Sequence, residues 1–537
     1  MTPRFSLRAE WPALAAIGGV FALGWLLISP WRNVPVIDDW VYAWSVEHVL
    51  KTGELRILEF SSIYPIAQVL WGALFASVAG FSFGILRLST VVLAVGGCWA
   101  IYLTLRELGV DAVASLLAAL TVALYPVYFS LAFSFMTDVP FVALSSAALY
   151  CYVSALVRNQ PARLWWGGGV ALLAFLIRPL GLVLPLAAVA GIPRGPWKTT
   201  LRRLIPPLAA TVAVMVAVWI ALPHLLGRLP VSDQRVNGLS ALLQVPLKDY
   251  ALWNINLPFI VAFPFAPLLL ASLVRPGRAI SIGVVTVVLM IGLRLMLGQL
   301  PTPLPDWQTW SLQDLATRGG LLGGDLQPSA WSVHAMPILK VAGSIVVSSL
   351  AVGLLAWVFP GSDRSRRPPA ARVVLALALA HVLLFNLLWF FNDRYYVVLA
   401  PSLAYLAAVP LTGDRRAVWI AAPLLMLWGF ISITGTRDML ATNDVVAGLA
   451  RELEATGVPP SQIDAGYSLN GWRLYAHPEN LPPNADRRYD VPFVTSATPT
   501  RYRIVNVPGP GEDVLKVVPL PAAWWQVTDR VYVVERH

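Results

Sequence analysis

Long apolar runs, separated by short polar segments, recur along most of this chain. A helix that crosses a membrane needs about 20 apolar residues. Runs close to that length lie near residues 11–29, 84–105, 112–133, 138–157, 205–226, 257–274, 279–297, 337–359, 372–390, 395–411 and 417–435. The pattern therefore predicts an all-α polytopic membrane protein.

Two further stretches leave the number of spans open, residues 62–80 and residues 165–192. As a single helix, the second would be about 42 Å long, which exceeds a hydrocarbon core of about 30 Å. It would also place Arg178 and Pro179 in the middle of the bilayer, where a charge and a missing backbone donor are both costly. We therefore expect two short helices that turn at "RPLG" beside a water-filled cavity.

The positions of Lys and Arg favour one orientation over its alternative. With the N-terminus inside, 62–80 on the outer surface and 165–192 split, Arg158 and Arg163 lie in a cytoplasmic loop, as the positive-inside rule expects. If 62–80 spans and 165–192 stays whole, both arginines move outside. The preferred arrangement has about 13 transmembrane helices, and its outer segments are residues 30–83, 134–138, 227–256, 298–336, 391–395 and 436–537.

The chain divides by composition into two predicted domains. Residues 1–435 form the transmembrane domain, and residues 436–537 form a small soluble α/β domain on the outer face. The second domain contains an amphipathic stretch, "DVVAGLARELEATGV", and a β-prone end, "VTDRVYVVERH". The N-terminus is thus expected in the cytoplasm and the C-terminal domain outside the cytoplasm, as in a bacterial plasma membrane.

The composition agrees with a membrane protein and argues against nucleic-acid binding and cysteine-based sites. Only 13% of the residues are charged, and there are 22 tryptophans, a residue enriched at membrane interfaces. The net charge of +10 reports cytoplasmic loops rather than nucleic-acid binding. Cys98 and Cys151 lie in apolar runs, so neither a disulfide framework nor a thiolate metal site is predicted.

Carboxylates at the outer ends of helices are the first candidates for catalysis. Asp38 and Asp39 follow the first apolar run in "PVIDDWVY", and Asp138 stands in "SFMTDVPF". One of them could accept a proton from an attacking hydroxyl, and the three together could hold a divalent cation such as Mg²⁺ or Mn²⁺. Acids at helix ends are also frequent caps, and Asp138 with Pro140 suits that role.

Basic side chains on the same predicted face are candidates for phosphate binding. An arginine can grip phosphate oxygens with two donors, while a structural ion pair is the alternative for Arg178 and Arg394. The candidates for phosphate binding are Arg87, Arg178, Arg235, Lys248 and Arg394.

The order of these motifs resembles the GT-C glycosyltransferases. They run from the acidic doublet through "YPIAQVLWGALFASVAGFSFGILRLST", "FMTDVPF" and "FLIRPLGL" to "NDRYYVVLAP", over roughly residues 10 to 410. Within that superfamily the chain resembles the protein O-mannosyltransferases and the lipid A aminoarabinose transferases. Relatives often have Lys-Pro or Pro-Pro where this chain has Tyr64-Pro65, which weakens the likeness to the aminoarabinose branch.

The resemblance implies that Asp38 or Asp39 is the essential acid of the first outer loop, with Asp138 as a second acid. It also implies a sugar donor on a polyprenyl phosphate, interfacial helices in the first outer loop, and Tyr64 and Tyr395 near the substrate. The expected activity is the transfer of a hexose or pentose to a hydroxyl on a lipid, glycan or protein, with inversion. A transporter or flippase of lipid-linked sugars is the alternative, because acids and a mid-membrane arginine also suit transport.

Overall fold

In the computed structural model, the residues described are 7–192, 197–231, 262–272, 285, 288, 368–385, 393–492, 500–520 and 529–536. Helices dominate the N-terminal part. They are α1 Leu7–Ile28, α2 Asp39–Thr52, α3 Ile66–Ala79, α4 Phe83–Glu107, α5 Ala112–Leu124, α6 Pro126–Ala132, α7 Asp138–Val157, α8 Ala162–Phe175, α9 Val183–Ala190 and α10 Trp197–Leu226.

Later helices and short 3₁₀ turns complete the helical part. The helices are Ala266–Ser272, Ala371–Phe385, Ala400–Ala408, Arg416–Ala455 and Tyr467–Asn470, and a π-helical turn covers Gly471–Tyr475. The 3₁₀ turns are Pro179–Leu182, Phe263–Phe265, Asp393–Leu399, Val409–Leu411, Pro460–Gln462 and Pro478–Asn480.

Six helices of the described chain are long and apolar enough to cross a membrane. They are Arg8–Ile28, Phe83–Glu107, Asp138–Val157, Arg202–Leu226, Arg394–Leu411 and Arg416–Ala455. The pair α5 and α6 makes a seventh if it counts as one span. The chain is therefore an integral membrane protein, as the apolar pattern predicts. The expected runs 279–297 and 337–359 lie outside the described residues, so a total of 13 spans stays a prediction.

Prolines interrupt two of the apolar stretches. Residues 165–192 are broken as expected: α8 ends at Phe175, Arg178 is extended, and Pro179 opens a 3₁₀ turn that leads into α9. Residues 112–133 were expected as one helix, but α5 and α6 meet at an angle of 65°. The residue before a proline avoids the helical region, and Tyr125, with ψ of 120°, does so before Pro126.

Residues 30–83 return the chain to the face that it left. Helix α3 has 14 residues, about 21 Å, which is too short to cross the hydrocarbon core. Just after the end of α1, the Asn33 side chain accepts a hydrogen bond of 2.9 Å from the backbone N–H of Phe83, the first residue of α4. Residues 30–83 therefore begin and end on one face, as predicted for an interfacial segment.

Ion pairs join the helices at the opposite end. Arg106 lies 3.1 Å from Glu10, which connects the end of α4 to the start of α1. Arg158, just after α7, lies 2.6 Å from Glu107 at the end of α4. Helices α4 and α7 therefore point the same way, which puts the start of α7 on the same face as residues 30–83.

The C-terminal region is carried by a single helix of 40 residues, Arg416–Ala455. The strands of this region are β1 Ile463–Asp464, β2 Tyr502–Val505, β3 Glu512–Pro519 and β4 Arg530–Arg536. They form one sheet in the order β1-β2-β4-β3. The parallel pair β1-β2 and the antiparallel pairs β2-β4 and β3-β4 make the small sheet that the β-prone end predicts. The long helix crosses residue 435, so the predicted division there stays a prediction.

Candidate active site

Asp38 is the partly exposed carboxylate of the acidic doublet. Its Oδ2 lies 2.8 Å from Arg394 Nη2, and its Oδ1 accepts a hydrogen bond of 2.7 Å from the Tyr467 hydroxyl. About a quarter of the Asp38 side chain (24%) remains exposed, against 12% for Arg394. The carboxylate is thus held by two donors and still has an accessible edge.

The backbone around Asp38 is fixed by the C-terminal region. Ile37 has a φ of 55°, a conformation that is uncommon for a β-branched residue. Its carbonyl accepts a hydrogen bond of 2.7 Å from Ser468. Gly471 lies so close to Trp40 that an added Cβ would approach the indole to 2.3 Å. Residues 467–471 therefore pack directly onto the segment that carries Asp38.

Asp39 faces the protein interior. It is fully buried, and its Oδ1 accepts a hydrogen bond of 2.8 Å from the backbone N–H of Val36, which shapes the turn before α2. Its charge also acts on Arg87, which is fully buried and donates to the carbonyls of Pro30, Arg32 and Val34. Because Arg87 is fully buried and both of its terminal nitrogens donate to the chain itself, the proposed phosphate site does not include it.

A second ion pair lies at the start of α7. Arg178 Nη2 is 2.9 Å from Asp138 Oδ1. Arg178 also donates to the Thr137 hydroxyl from Nε at 3.0 Å and from Nη2 at 2.7 Å. Asp138 is 1% exposed, and neither of its oxygens accepts a hydrogen bond among the described residues. The charge of Asp138 is balanced, but its acceptor capacity is unused by the described part of the chain.

Tyr42 connects the two ion pairs. Its phenol is buried, and burial, with the nearby Asp38 carboxylate, raises the pKa of Tyr42 to about 12. Asp138, Arg178 and Arg394 also act on this phenol, and both Asp38 and Asp138 act on Arg394. The structure therefore gathers two carboxylates, two guanidinium groups and a neutral phenol into one cluster.

The other predicted site residues have separate positions. Tyr395 lies next to the cluster, with Arg394 Cζ 5.9 Å from the centre of its ring. The Tyr64 hydroxyl donates to the Gly227 carbonyl at 2.6 Å, which ties the start of α3 to the end of α10. Arg235 and Lys248 lie outside the described residues.

The three predicted metal ligands have different surroundings. Asp38 binds Arg394 and Tyr467, Asp39 accepts from Val36, and Asp138 pairs with Arg178. Within the described ranges, no group of three His, Cys, Asp or Glu residues is placed to hold a metal ion. A divalent cation in this protein stays a prediction.

Sequence reasoning missed four residues: Tyr42 in the cluster, and Thr137, Tyr467 and Ser468, which hydrogen-bond to it or to the backbone beside it. Tyr42 is one helical turn after Asp38, and Thr137 precedes Asp138, so helical spacing and adjacency could have pointed to them. Tyr467 and Ser468 carry no comparable signal. Their partners, Asp38 and Ile37, are 429 and 431 residues away in the chain.

Part of the chain matches a known protein family. Residues 65–225 match the family described as dolichyl-phosphate-mannose-protein mannosyltransferase. This confirms the resemblance to GT-C glycosyltransferases that the motifs predict. The matched residues include α4, α7 and the Arg178 turn. None of the curated proteins compared with this chain matches it.

The solved structures to which the chain is similar include two of ArnT from Cupriavidus metallidurans. The one bound to undecaprenyl phosphate is 13% identical, covers 97% of both chains and has a TM-score of 0.48. The apo structure is 15% identical, with a TM-score of 0.42, and covers 89% of this chain and 76% of ArnT. The oligosaccharyltransferase of Archaeoglobus fulgidus is 15% identical, with a TM-score of 0.43, and covers 83% of this chain and 57% of its own. None of these likenesses is close enough to assign an activity.

Proposed function

We propose that this protein is a membrane glycosyltransferase that transfers a sugar from a polyprenyl-phosphate donor to a hydroxyl acceptor on the extracytoplasmic face. The observation that carries the proposal is the cluster itself. A partly exposed carboxylate, Asp38, lies beside arginines at the membrane end of several apolar helices. The family matched by residues 65–225 is named for a lipid-phosphate sugar donor, and a donor of that chemistry suits the cluster.

Asp38, rather than Asp39, is the proposed general base. A base must reach the proton that it abstracts, and Asp38 is partly exposed while Asp39 is buried. In the proposed step the acceptor oxygen attacks the anomeric carbon, its proton passes to Asp38, and the bond from that carbon to the phosphate oxygen breaks. The electron pair leaves with the polyprenyl phosphate. A single displacement of this kind inverts the anomeric centre.

The arginines act on the charge that develops on the leaving phosphate. Arg178 and Arg394 are held by carboxylates but remain partly exposed, at 12% each. Fixed donors directed at developing charge are among the largest contributions to catalysis. Tyr42, a phenol that is neutral at physiological pH, can add a hydroxyl donor without adding charge.

The test uses the full chain in unsealed membranes with a panel of radiolabelled polyprenyl-phosphate sugars, among them mannose and glucose. We expect label to pass from the lipid to a second product while free polyprenyl phosphate accumulates. The Asp38→Asn variant, present at the same level, should do neither. Passage of intact lipid-linked sugar across sealed vesicles, with no covalent transfer by unsealed membranes, would support a transporter instead.

A further inference from the structure

A cavity of about 360 Å³ lies between the first outer loop and the C-terminal region, apart from the ion-pair cluster. One wall is a face of α2 that carries Trp44, Glu47, His48 and Lys51. These residues follow the spacing of one helical face. The cavity is also lined by segments 56–59 and 476–479, together with Arg487.

The charges that line this cavity balance one another. Glu47 lies 2.9 Å from Lys51 and 3.4 Å from His477, and Glu59 lies 2.7 Å from Arg487. The lining contains three glutamates, Glu47, Glu59 and Glu479, and three side chains that carry a positive charge, Lys51, Arg56 and Arg487. Such a lining offers many hydrogen-bond donors and acceptors but little net charge for a charged ligand.

Planar side chains stack against one another in the lining of the cavity. His48 stacks on Trp44 with ring centres 5.0 Å apart, and Arg56 Cζ lies 5.9 Å from the Trp44 ring centre. Trp40, Phe60 and Tyr475, each close in sequence to a lining segment, form an aromatic cluster with ring centres 5.0 to 5.8 Å apart. A pre-formed pocket loses little conformational entropy when a ligand binds.

The aliphatic part of the lining offers little to a peptide. Ile57, Leu58 and Ala476 are all buried, at 5%, 2% and 3% exposure. Apolar side chains of a protein acceptor would therefore find few partners here. Paired carboxylates, guanidinium groups and imidazoles instead suit a ligand that is rich in neutral hydroxyl groups.

The cavity is also in the right place relative to Asp38. Trp44 and Lys51 are six and thirteen residues further along the chain, so they lie about 9 and 20 Å from it along the axis of α2. Trp40, a member of the aromatic cluster with Phe60 and Tyr475, also contacts Tyr467, the donor to Asp38. Their ring centres are 6.2 Å apart. An extended acceptor in the cavity could thus reach the proposed base.

We infer that this cavity is the acceptor subsite, and that it binds a neutral, hydroxyl-rich glycan. The inference rests on the proposed function, since it names the class of acceptor for the same transfer. The ligand would lie along α2 with one hydroxyl directed toward Asp38.

The experiment measures binding of the purified full chain to an array of immobilised glycans and peptides. Neutral oligosaccharides should bind best, ahead of acidic glycans and of Ser/Thr-containing peptides. Trp44→Ala and Arg56→Ala should each weaken binding at least tenfold, with Arg56→Ala as the milder change because Arg56 is exposed. Glu54→Gln, at an exposed position outside the cavity lining, is the matched control and should bind like the unmodified protein.

The outcomes separate this inference from the proposed function. Asp38→Asn should lose sugar transfer and keep glycan binding, since Asp38 is not part of the lining. If no neutral glycan binds, or if the cavity variants bind as the control does, the subsite is refuted even when transfer is intact. Preferential binding of peptides would overturn the glycan assignment.

Discussion

Asp38 and Asp39 are neighbours in the sequence, but the structure places them in opposite kinds of environment. Asp38 is partly exposed, with Arg394 and Tyr467 as partners. Asp39 is buried and fixes the turn before α2. Its charge acts on Arg87, which donates to three carbonyls of the same loop. The Asp38 carboxylate keeps an accessible edge, while Asp39 fixes the adjacent turn.

This comparison separates two tasks within the acidic doublet: the proposed base and a residue that fixes the loop. A carboxylate that must gain and lose a proton needs access to the substrate. Removing a buried carboxylate or a buried guanidinium near it is destabilising, because the charge that remains is left uncompensated. The two roles can be separated by experiment.

The largest effect is expected from the doublet itself. Asp38→Asn should lower kcat by about 100- to 10,000-fold, the range for loss of a general base. Asp39→Asn keeps an oxygen for the Val36 N–H, so its kcat per folded protein should stay close to that of the unmodified chain. Sugar transfer in membranes, normalised to folded protein, measures both. Equal losses in the two variants would contradict the division of roles.

The arginine partners should separate in the same way. Arg394→Gln removes a partner of Asp38 and should lower kcat by about 100-fold or more, as loss of a donor to developing charge does. Arg87→Gln should instead lower the free energy of unfolding by about 3–5 kcal/mol, because it breaks a buried ionic arrangement. Transfer kinetics and thermal unfolding of the detergent-solubilised protein give the two readouts. A stable Arg87→Gln protein would argue against the structural role.

A smaller effect is expected from Tyr467. Tyr467→Phe removes one hydrogen bond to a charged acceptor, which is worth about 1.5–3 kcal/mol, so kcat should fall by about tenfold or more. The KM for the lipid donor should change little, since the phenol contacts Asp38 rather than the proposed phosphate partners. Tyr489→Phe, at an exposed position in the same region, is the control. A change confined to KM would place Tyr467 in substrate binding instead.

The smallest effect at neutral pH concerns Tyr42. Its pKa is raised to about 12 from an ordinary 10, so folding favours the neutral phenol. That contribution, about 3 kcal/mol for a shift of this size, is fully present below pH 10 and is lost as the pH rises toward 12. Tyr42→Phe should therefore make the unfolding temperature less sensitive to pH between 10 and 12. An unchanged alkaline slope would place the phenol in a different environment.

Much of the scaffold was predictable from local sequence, because the rules involved are local. Apolar runs predicted the long helices, and Arg178 with Pro179 predicted the break between α8 and α9. The bend at Pro126 was available from the same rule but was overlooked within an apolar run. The single 40-residue helix was not expected, because its apolar and amphipathic halves suggested separate elements.

The site was predictable only as a set of candidates. Residue type and membrane face could nominate Asp38, Asp39, Asp138, Arg178 and Arg394, and the structure gathers four of them around Tyr42. Sequence could not distinguish Asp38 from Asp39. The direction of each side chain depends on the turn at Ile37 and on partners hundreds of residues away.

The sequence by itself determined the membrane class, most helix positions and the chemical types available at one face. These follow from hydrophobic burial and backbone preferences, which act over a few turns of chain. Only the tertiary structure decided which carboxylate is exposed and that residues 467–471 hold it in place. It also decided that Arg87 donates hydrogen bonds to backbone carbonyls and that a charge-balanced cavity lies along α2. Such pairings depend on long-range packing, where one donor–acceptor distance selects between residues that are chemically identical.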